Sequence, residues 1–274
     1  MPAVIEAFHL PTPTGFRFCL LRRPACGESG RGTVIHVPAF AEELNKSRHM
    51  IALAAEAWAQ QGWNVLQLDL GGCGDSEGEF GEANWEGWLE DVRLAHEWAE
   101  RHCEGPVWLW GLRLGALLAC EAAARWRLDC GLLMWQAVLS GKQHLQQFLR
   151  LWQAARIMGK AGVAQEASPQ QRLAAGQAVE VAGYELAPAL AVGMERAQFD
   201  AIHAPHGVHW FQISAAATTV SPVIERLVAK WQAAGVAVSM HAVSGPPFWQ
   251  TQEIELAPEL LAASAAALTG KAAA

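Results

Sequence analysis

The sequence predicts an α/β fold in which a mostly parallel central sheet is covered by helices on both faces. Apolar, β-branched runs alternate with amphipathic stretches of helical spacing over residues 1–139, which is the pattern of successive βαβ units. The 274 residues, of which 52% are hydrophobic, are enough to bury a large core. The alternation stops at residue 140 and resumes at about residue 208, so we expect the segment 140–207 to be an insertion between two parts of one core, 1–139 and 208–274.

The elements of the first part follow from their hydrophobic periods and their capping residues. Two strands joined by a turn with proline and glycine are predicted at the start, and a β-branched run predicts a central strand after them. Asn45 is a plausible N-cap for the first helix, and Gly62 is a plausible end. In chain order the predicted elements are strands 3–10, 16–22 and 32–37, helix 45–62, strand 64–70, helix 84–102, strand 106–110, helix 114–126 and strand 131–138.

The inserted segment is rich in Gln, Ala and Leu at helical spacing and is broken at several glycines and at Pro169. We therefore predict a helical cap inserted after the sixth strand. The core then closes with four predicted elements, namely strand 209–213, helix 222–234, strand 236–243 and helix 259–268, before an alanine-rich tail that we expect to fray.

Composition excludes several classes of partner. The formal net charge is −7, and basic residues form no stripe, so nucleic acid and anionic membrane surfaces are poor candidates. Six cysteines without a C-x-x-C pair are typical of reduced thiols, and no signal peptide or membrane span is evident, so we expect a cytoplasmic protein. The histidines lack a recognisable ligand spacing, so we expect neither a metal nor a cofactor.

A short motif between a predicted strand and a predicted helix reads Gly-Leu-Arg-Leu-Gly over residues 111–115. It has the glycine spacing of the G-x-S-x-G turn, whose central serine is a nucleophile at a sharp bend between strand and helix. Here Arg113 occupies the apex. A guanidinium stays protonated and has no lone pair to attack a carbonyl, so it can supply only hydrogen-bond donors and positive charge.

Four segments carry a resemblance to a known family. They are Pro-Ala-Phe-Ala-Glu-Glu-Leu-Asn-Lys-Ser-Arg at 38–48, Gly-Gly-Cys-Gly-Asp-Ser at 71–76, the motif at 111–115 and Ser-Gly-Lys-Gln at 140–143. With the order of the elements, they resemble the exosortase A system-associated hydrolase 2 group of the α/β-hydrolase superfamily. The resemblance implies the α/β-hydrolase fold over nearly the whole chain, a bacterial origin, and association with exopolysaccharide production and exosortase-dependent protein sorting.

The resemblance also implies positions for a catalytic acid and a catalytic histidine, and neither holds such a residue. The segment 214–222 after a predicted strand contains no carboxylate, and the polar residues after the sixth strand are Gln136 and Ser140. After the last strand, Trp249 is found in the loop that would supply the histidine. Serine, acid and histidine are therefore all missing from their expected positions.

Arg113 should have an acidic partner. It begins a predicted helix, where a positive charge beside the positive end of the helix dipole costs about 0.3–1 kcal/mol unless an anion is near. Glu42 and Glu43 after the third strand and Asp75 after the fourth are the candidates. Two interpretations stay open, a structural salt bridge in place of the catalytic network and a site that recognises a carboxylate or a phosphate.

The sequence therefore predicts an α/β-hydrolase-like protein without a recognisable triad, which binds an anionic small molecule or a protein of the exopolysaccharide and exosortase system. The candidate ligand-binding residues are Arg113, Leu112, Phe40, Ala41, Glu42, Glu43, Asp75, Gln136, Ser140 and Trp249.

The alternative function is hydrolysis or acyl transfer on an ester or thioester, with a non-standard nucleophile. Cys73 is the candidate because it follows a strand in a glycine-rich turn. Its thiolate would need a base or a nearby positive charge to form at neutral pH. A residue of the inserted segment that converges on Arg113, for instance Glu185 or His206, would favour this alternative.

Overall fold

The structure is a computed structural model that describes residues 3–24, 30–158, 167–215 and 221–270. The strands are β1 (Val4–Thr12), β2 (Gly15–Arg23), β3 (Gly32–Val37), β4 (Trp63–Leu68), β5 (Val107–Leu112), β6 (Cys130–Trp135), β7 (Val179–Val181), β8 (Tyr184–Leu186), β9 (Val208–Ser214) and β10 (Val238–Ser244). The α-helices are α1 (Glu42–Ala59), α2 (Trp85–His102), α3 (Leu114–Trp126), α4 (Gly141–Met158), α5 (Pro169–Ala174), α6 (Pro188–Arg196), α7 (Pro222–Ala233) and α8 (Pro258–Thr269).

One sheet of eight strands organises the molecule, in the order β1-β2-β4-β3-β5-β6-β9-β10. The pairs β1–β2 and β2–β4 are antiparallel, and the remaining pairs are parallel. The predicted mostly parallel sheet, covered by helices on both faces, is confirmed. The carboxyl ends of β3, β5, β6 and β10 meet at one edge, where binding sites of such sheets lie.

Two apolar clusters, one on each face of the sheet, form the core. Successive side chains of β5 point to opposite faces of the sheet and so belong to different clusters. Leu109 packs with α2 and α3, whereas Trp108 and Trp110 pack with α1 and α8. Trp110 and Trp135 meet edge to face with ring centroids 4.7 Å apart. Most of the tryptophans are thus core residues.

The predicted start of the first helix needs correction. Helix α1 begins at Glu42, three residues before the predicted cap, because Ala41 turns the chain sharply at φ 50° and leaves the two glutamates in the first turn. Asn45 is inside the helix, and its amide donates a hydrogen bond to Tyr184 Oη at 2.7 Å. The helix dipole stabilises the two acidic residues of the first turn. A search of the sequence for N-cap residues does not detect this kind of helix start.

The segment between β6 and β9 is not helical throughout. It contains α4, α5 and α6 but also the hairpin β7–β8, whose turn has Ala182 and Gly183 at positive φ. The strands do alternate apolar and polar residues, but each has only three residues, which is shorter than the run of about four to eight from which a strand is predicted. Treating 140–207 as a separate cap stays a prediction.

Some predictions lie outside the described residues. These are Cys26 as a reduced thiol, the part of the acid-free segment at 216–220, and the frayed tail at 271–274. Among the helices that the structure describes, none is long and apolar enough to cross a membrane.

Candidate functional site

The sharp turn between β5 and α3 holds Arg113 at φ 56° and ψ −117°, a conformation that side-chain-bearing residues rarely adopt. Both glycines of the motif are required by close backbone approach. A Cβ at Gly111 would lie 2.3 Å from the Cα of Ala116, and one at Gly115 would lie 2.3 Å from the carbonyl oxygen of Val37. The elbow that the glycine spacing predicts is therefore present, with arginine in place of serine.

The guanidinium of Arg113 is held by three groups. Its Nε donates to Glu43 Oε1 at 3.1 Å, and its Nη1 donates to the carbonyl oxygen of Gln136 at 3.4 Å. Its Cζ lies 5.4 Å from the ring centroid of Trp249, which is a cation–π contact. Of the three candidate acids, Glu43 is the partner of Arg113, and the residue in the place expected for histidine, Trp249, packs on the same side chain.

A residue that was not predicted completes this group. His144, in the first half of α4, has its Nε2 3.6 Å from Glu43 Oε2, so the carboxyl group of Glu43 lies between Arg113 and His144. The sequence did carry a signal, since His144, Gln147, Phe148 and Leu151 follow the i, i+3, i+4, i+7 spacing of one helix face. Which face would meet the elbow could not be known without the tertiary structure.

Burial sets the protonation of both groups. Desolvation raises the pKa of Glu43, although the charges of Arg113 and Lys46 act in the opposite direction. Desolvation, together with the charge of Arg113, lowers the pKa of His144 to about 3, so its imidazole is neutral at physiological pH. Glu43 Oε2 and His144 Nδ1 are buried and have no hydrogen-bond partner among the described residues.

These side chains line a cavity of about 260 Å³ between the elbow, the start of α1 and helix α4. Its lining consists of Phe40, Glu42, Glu43, Lys46, Arg113, His144, Gln147, Phe148, Leu151, Trp249 and Gln250. The four ionisable residues other than His144 are two acids and two bases, and the aromatic and aliphatic residues supply apolar walls. The cavity can therefore accept a small molecule with a polar group and an apolar body.

The other predicted site residues have backbone roles near the cavity. Gln136, at φ 45°, accepts the N–H of Ile213 on its Oε1 at 2.6 Å and so ties β6 to β9. Ser140 Oγ accepts the N–H of Gln143 in the first turn of α4, at 3.3 Å. Leu112 is buried at the end of β5, and Ala41 forms the turn into α1.

Asp75 is in a turn of its own. Its N–H donates to Asp69 Oδ2 at 3.0 Å, and Asp75 is not among the described residues that line the cavity.

Cys73 lines a different void, of about 10 Å³, next to Leu114 and Leu118. Burial, with the charges of Asp69 and Asp91, raises the pKa of its thiol to about 12. A thiol with such a pKa is almost entirely protonated at neutral pH and is a poor nucleophile. Cys73 as a catalytic residue stays a prediction without structural support.

The two residues of the inserted segment that could have supplied a base lie elsewhere. His206 Nε2 is 3.4 Å from Asp129 Oδ1, and neither His206 nor Glu185 is among the described residues of the cavity lining. The residue that the inserted segment does bring to the elbow is His144.

Residues 28–194, more than half of the chain, match the Hydrolase_4 family model, which is described as serine aminopeptidase, S33. The chain belongs to this α/β-hydrolase family. Within the matched region the apex of the elbow is Arg113, so this α/β-hydrolase-like protein departs from the serine-nucleophile pattern at the decisive position. No curated protein matches the chain significantly.

Solved structures show the same fold at low sequence identity. Est1E from Butyrivibrio proteoclasticus with bound ferulic acid has a TM-score of 0.67 at 14% identity, over 96% of this chain and 97% of that one. XC6422 from Xanthomonas campestris, an α/β serine hydrolase without a lid, has 0.56 at 16%, over 100% and 98%. An α-beta serine hydrolase homologue from Coxiella burnetii has 0.56 at 16%, over 98% and 97%. At these identities the likeness concerns the fold alone.

Proposed function

We propose that this α/β-hydrolase-like protein is not a hydrolase and that its elbow cavity binds a small molecule through an anionic oxygen. The observation that carries the proposal is the state of Arg113. Its Nε and Nη1 are occupied, whereas its Nη2 donates to no described residue, and the side chain lines the cavity. A fixed guanidinium with a free edge is a preorganised donor for a carboxylate or phosphate oxygen.

The surroundings support binding of an anion at this edge. Arg113 is at the N-terminus of α3, where the helix dipole and free backbone N–H groups also favour negative charge. Holding the guanidinium with Glu43 and Trp249 removes most of the side-chain entropy that binding would otherwise cost. A hydrogen bond to a charged group contributes about 1.5–3 kcal/mol, which is enough to select ligands that carry such an oxygen.

The alternative, hydrolysis or acyl transfer on an ester or thioester, has no supporting observation. The pKa of Cys73 is about 12, and the pKa of His144 is about 3, so neither the proposed nucleophile nor the nearest imidazole is suited to act at neutral pH. Trp249 fills the position of the usual histidine. The described lining of the cavity also contains no serine or cysteine that could act as a nucleophile.

The biological setting is part of the proposal and rests on the resemblance to the exosortase A system-associated group. We place the protein as a bacterial accessory of exopolysaccharide production or of exosortase-dependent protein sorting. In that setting, a retained cavity without a nucleophile would sense or carry a small acid, or would support contact with a partner protein of the same system.

The test combines binding with a search for turnover. Isothermal titration of the wild type with acetate, octanoate, ferulate and inorganic phosphate should detect at least one ligand, and Arg113→Gln should weaken it by about tenfold or more. Arg226→Gln, which removes an exposed cation on α7, is the control and should bind as the wild type does. Ferulate is included because it is the acid bound in the Est1E structure.

A fluorophosphonate probe, iodoacetamide and short p-nitrophenyl esters complete the test. We expect no stoichiometric labelling by the fluorophosphonate and no turnover. Turnover that is abolished by Cys73→Ala, or selective labelling of one residue with loss of activity on its mutation, would overturn the proposal and establish an enzyme with a relocated nucleophile.

A further inference from the structure

Glu43 is shared between two partners of opposite character. Its Oε1 accepts from Arg113 Nε at 3.1 Å, and its Oε2 faces His144 Nε2 at 3.6 Å. The latter separation is a few tenths of an ångström beyond hydrogen-bond length. Glu43 Oε2 and His144 Nδ1 are both buried without a hydrogen-bond partner among the described residues. A buried polar atom without a partner costs about 1–3 kcal/mol, so a hydrogen bond between Glu43 Oε2 and His144 Nε2 would remove that cost for Oε2, while Nδ1 would still have no partner among the described residues.

The Nε2–H tautomer of the neutral imidazole could donate this hydrogen bond to the carboxylate, and a proton on Glu43 Oε2, which adds one proton to the site, could also supply it. With that added proton, the carboxyl group would donate an O–H···N hydrogen bond to the neutral imidazole of His144, while Oε1 continues to accept from Arg113. Burial, which raises the pKa of Glu43 and lowers the pKa of His144, favours this neutral pair over a carboxylate beside an imidazolium.

The charges around Glu43 determine how its protonation affects the affinity for an anionic ligand. The charged groups that line the cavity with it are Glu42 and Lys46 on α1 and Arg113 at the elbow; α4 contributes His144, and the loop after β10 contributes Trp249 and Gln250, which are uncharged. With Glu43 ionised, the lining is electrically neutral, so an anion at Arg113 would give the cavity a net negative charge and would lie near the Glu43 carboxylate. With Glu43 protonated, one positive charge remains, which a monoanion neutralises and a dianion exceeds.

The walls of the cavity indicate the rest of the ligand. Phe40 and Phe148 pack edge to face with centroids 4.9 Å apart, and Leu151 and Trp249 extend the same apolar lining. Burial of an apolar group against them contributes about 25 cal/mol per Å². A bare inorganic anion would leave these walls unused.

We propose that the cavity binds a monocarboxylate with an apolar body together with one proton, which Glu43 holds between Arg113 and His144. This inference rests on the proposed binding function and specifies its ligand class and its dependence on pH. By linkage, a ligand that brings a proton with it binds more weakly as the pH rises above the pKa of Glu43 in the free protein.

The experiment is isothermal titration of the wild type with octanoate and with octanesulfonate, between about pH 5 and 9, in two buffers of different ionisation enthalpy. Octanesulfonate is included because it stays ionised over this range, so any proton taken up with it must bind to the protein. We expect up to one proton per ligand and a Kd that rises up to tenfold per pH unit through part of the range. A Kd for either probe that is independent of pH, without proton uptake, would overturn the inference.

The variant Glu43→Gln mimics the protonated state, since its amide can accept from Arg113 and donate to His144. It should bind octanoate with a Kd that does not change with pH and stays within about threefold of the wild-type value at low pH. Glu253→Gln, in the exposed loop after the site, should keep the wild-type pH profile. If the Kd of Glu43→Gln for octanoate rises with pH as steeply as that of the wild type, another group holds the proton and the inference is wrong.

The two proposals fail in different ways. Binding of octanoate without any proton uptake removes only the proton coupling and leaves the binding function in place. Inorganic phosphate that binds as tightly as octanoate at pH 8 contradicts the ligand class. Absence of binding by every probe to the folded wild type overturns the binding function itself.

Discussion

Replacing Arg113 by glycine and by alanine separates the backbone of the elbow from the side chain at its apex. Both variants lose the ion pair with Glu43 and the stacking on Trp249, so these losses cancel when the two variants are compared. What differs is the residue at φ 56° and ψ −117°, where glycine is unstrained and alanine is not.

The size of the difference follows from that backbone conformation. A non-glycine residue in a sparsely populated region costs about 1–3 kcal/mol. Glycine has more conformational freedom than alanine in the unfolded chain, and this lowers the stability of the glycine variant by about 0.4–1 kcal/mol. We therefore expect the free energy of unfolding of Arg113→Gly to exceed that of Arg113→Ala by about 1–2 kcal/mol.

Equilibrium unfolding in urea, followed by tryptophan fluorescence and by circular dichroism, measures this difference. Gly176→Ala is a useful reference, because Gly176 also has a positive φ, of 76°, and nothing lies within 4 Å of the Cβ that alanine would add. There, substitution adds backbone strain without a steric clash, offset by the same entropy difference in the unfolded chain, and should destabilise the protein by a similar amount. An Arg113→Ala variant that is as stable as Arg113→Gly, or more stable, would refute the view that the elbow keeps its strain without a nucleophile.

Three further predictions concern the elbow glycine Gly115, the thiol of Cys73 and the stability of the protein in acid. Gly115→Ala should destabilise the protein by at least about 2 kcal/mol, or prevent folding, because its Cβ would lie 2.3 Å from the carbonyl oxygen of Val37; thermal unfolding measures this, and a loss below about 0.5 kcal/mol would contradict it. Iodoacetamide should label Cys73 at least about tenfold more slowly than a free thiol at pH 7.5, since its pKa is about 12, and mass spectrometry of the labelled peptide at successive times gives the rate. Burial lowers the pKa of His36 from 6.5 to about 3, so the stability that its neutral form provides is present above pH 6.5 and is lost as the pH falls below that value. Urea unfolding between pH 7 and 4 should therefore show a smaller decline in the free energy of unfolding for His36→Gln than for the wild type. Equal declines would argue against this role of His36.

Much of the core could be predicted because its signals are local. The period of two in the strands, the period of 3.6 in α2 and α3, and the glycines that frame the elbow each depend on a few consecutive residues. The same local reading was wrong about the start of α1, since Ala41 makes its turn without a capping side chain. It also missed the hairpin β7–β8, whose alternating strands are shorter than the runs from which a strand is predicted.

The candidate site could be predicted only in part, because its contacts join distant parts of the chain. Arg113 at the apex of the elbow was visible in the sequence, and so was the need for an acidic partner, since a cation at a helix N-terminus is unfavourable alone. The choice of Glu43 over Glu42 and Asp75 depends on contacts that span 70 residues of chain, and no local pattern encodes them.

The sequence by itself determined the fold class, the elbow and the chemistry that its apex cannot perform, because glycine spacing and residue type suffice for these. Only the tertiary structure decided that His144 of α4 lies against Glu43, that Trp249 covers Arg113, and that Cys73 is in a separate void. The physical reason is that burial, and with it the pKa of each group, depends on which surfaces pack together. Residue identity sets what a side chain can do, and packing sets which partners and which protonation state it has.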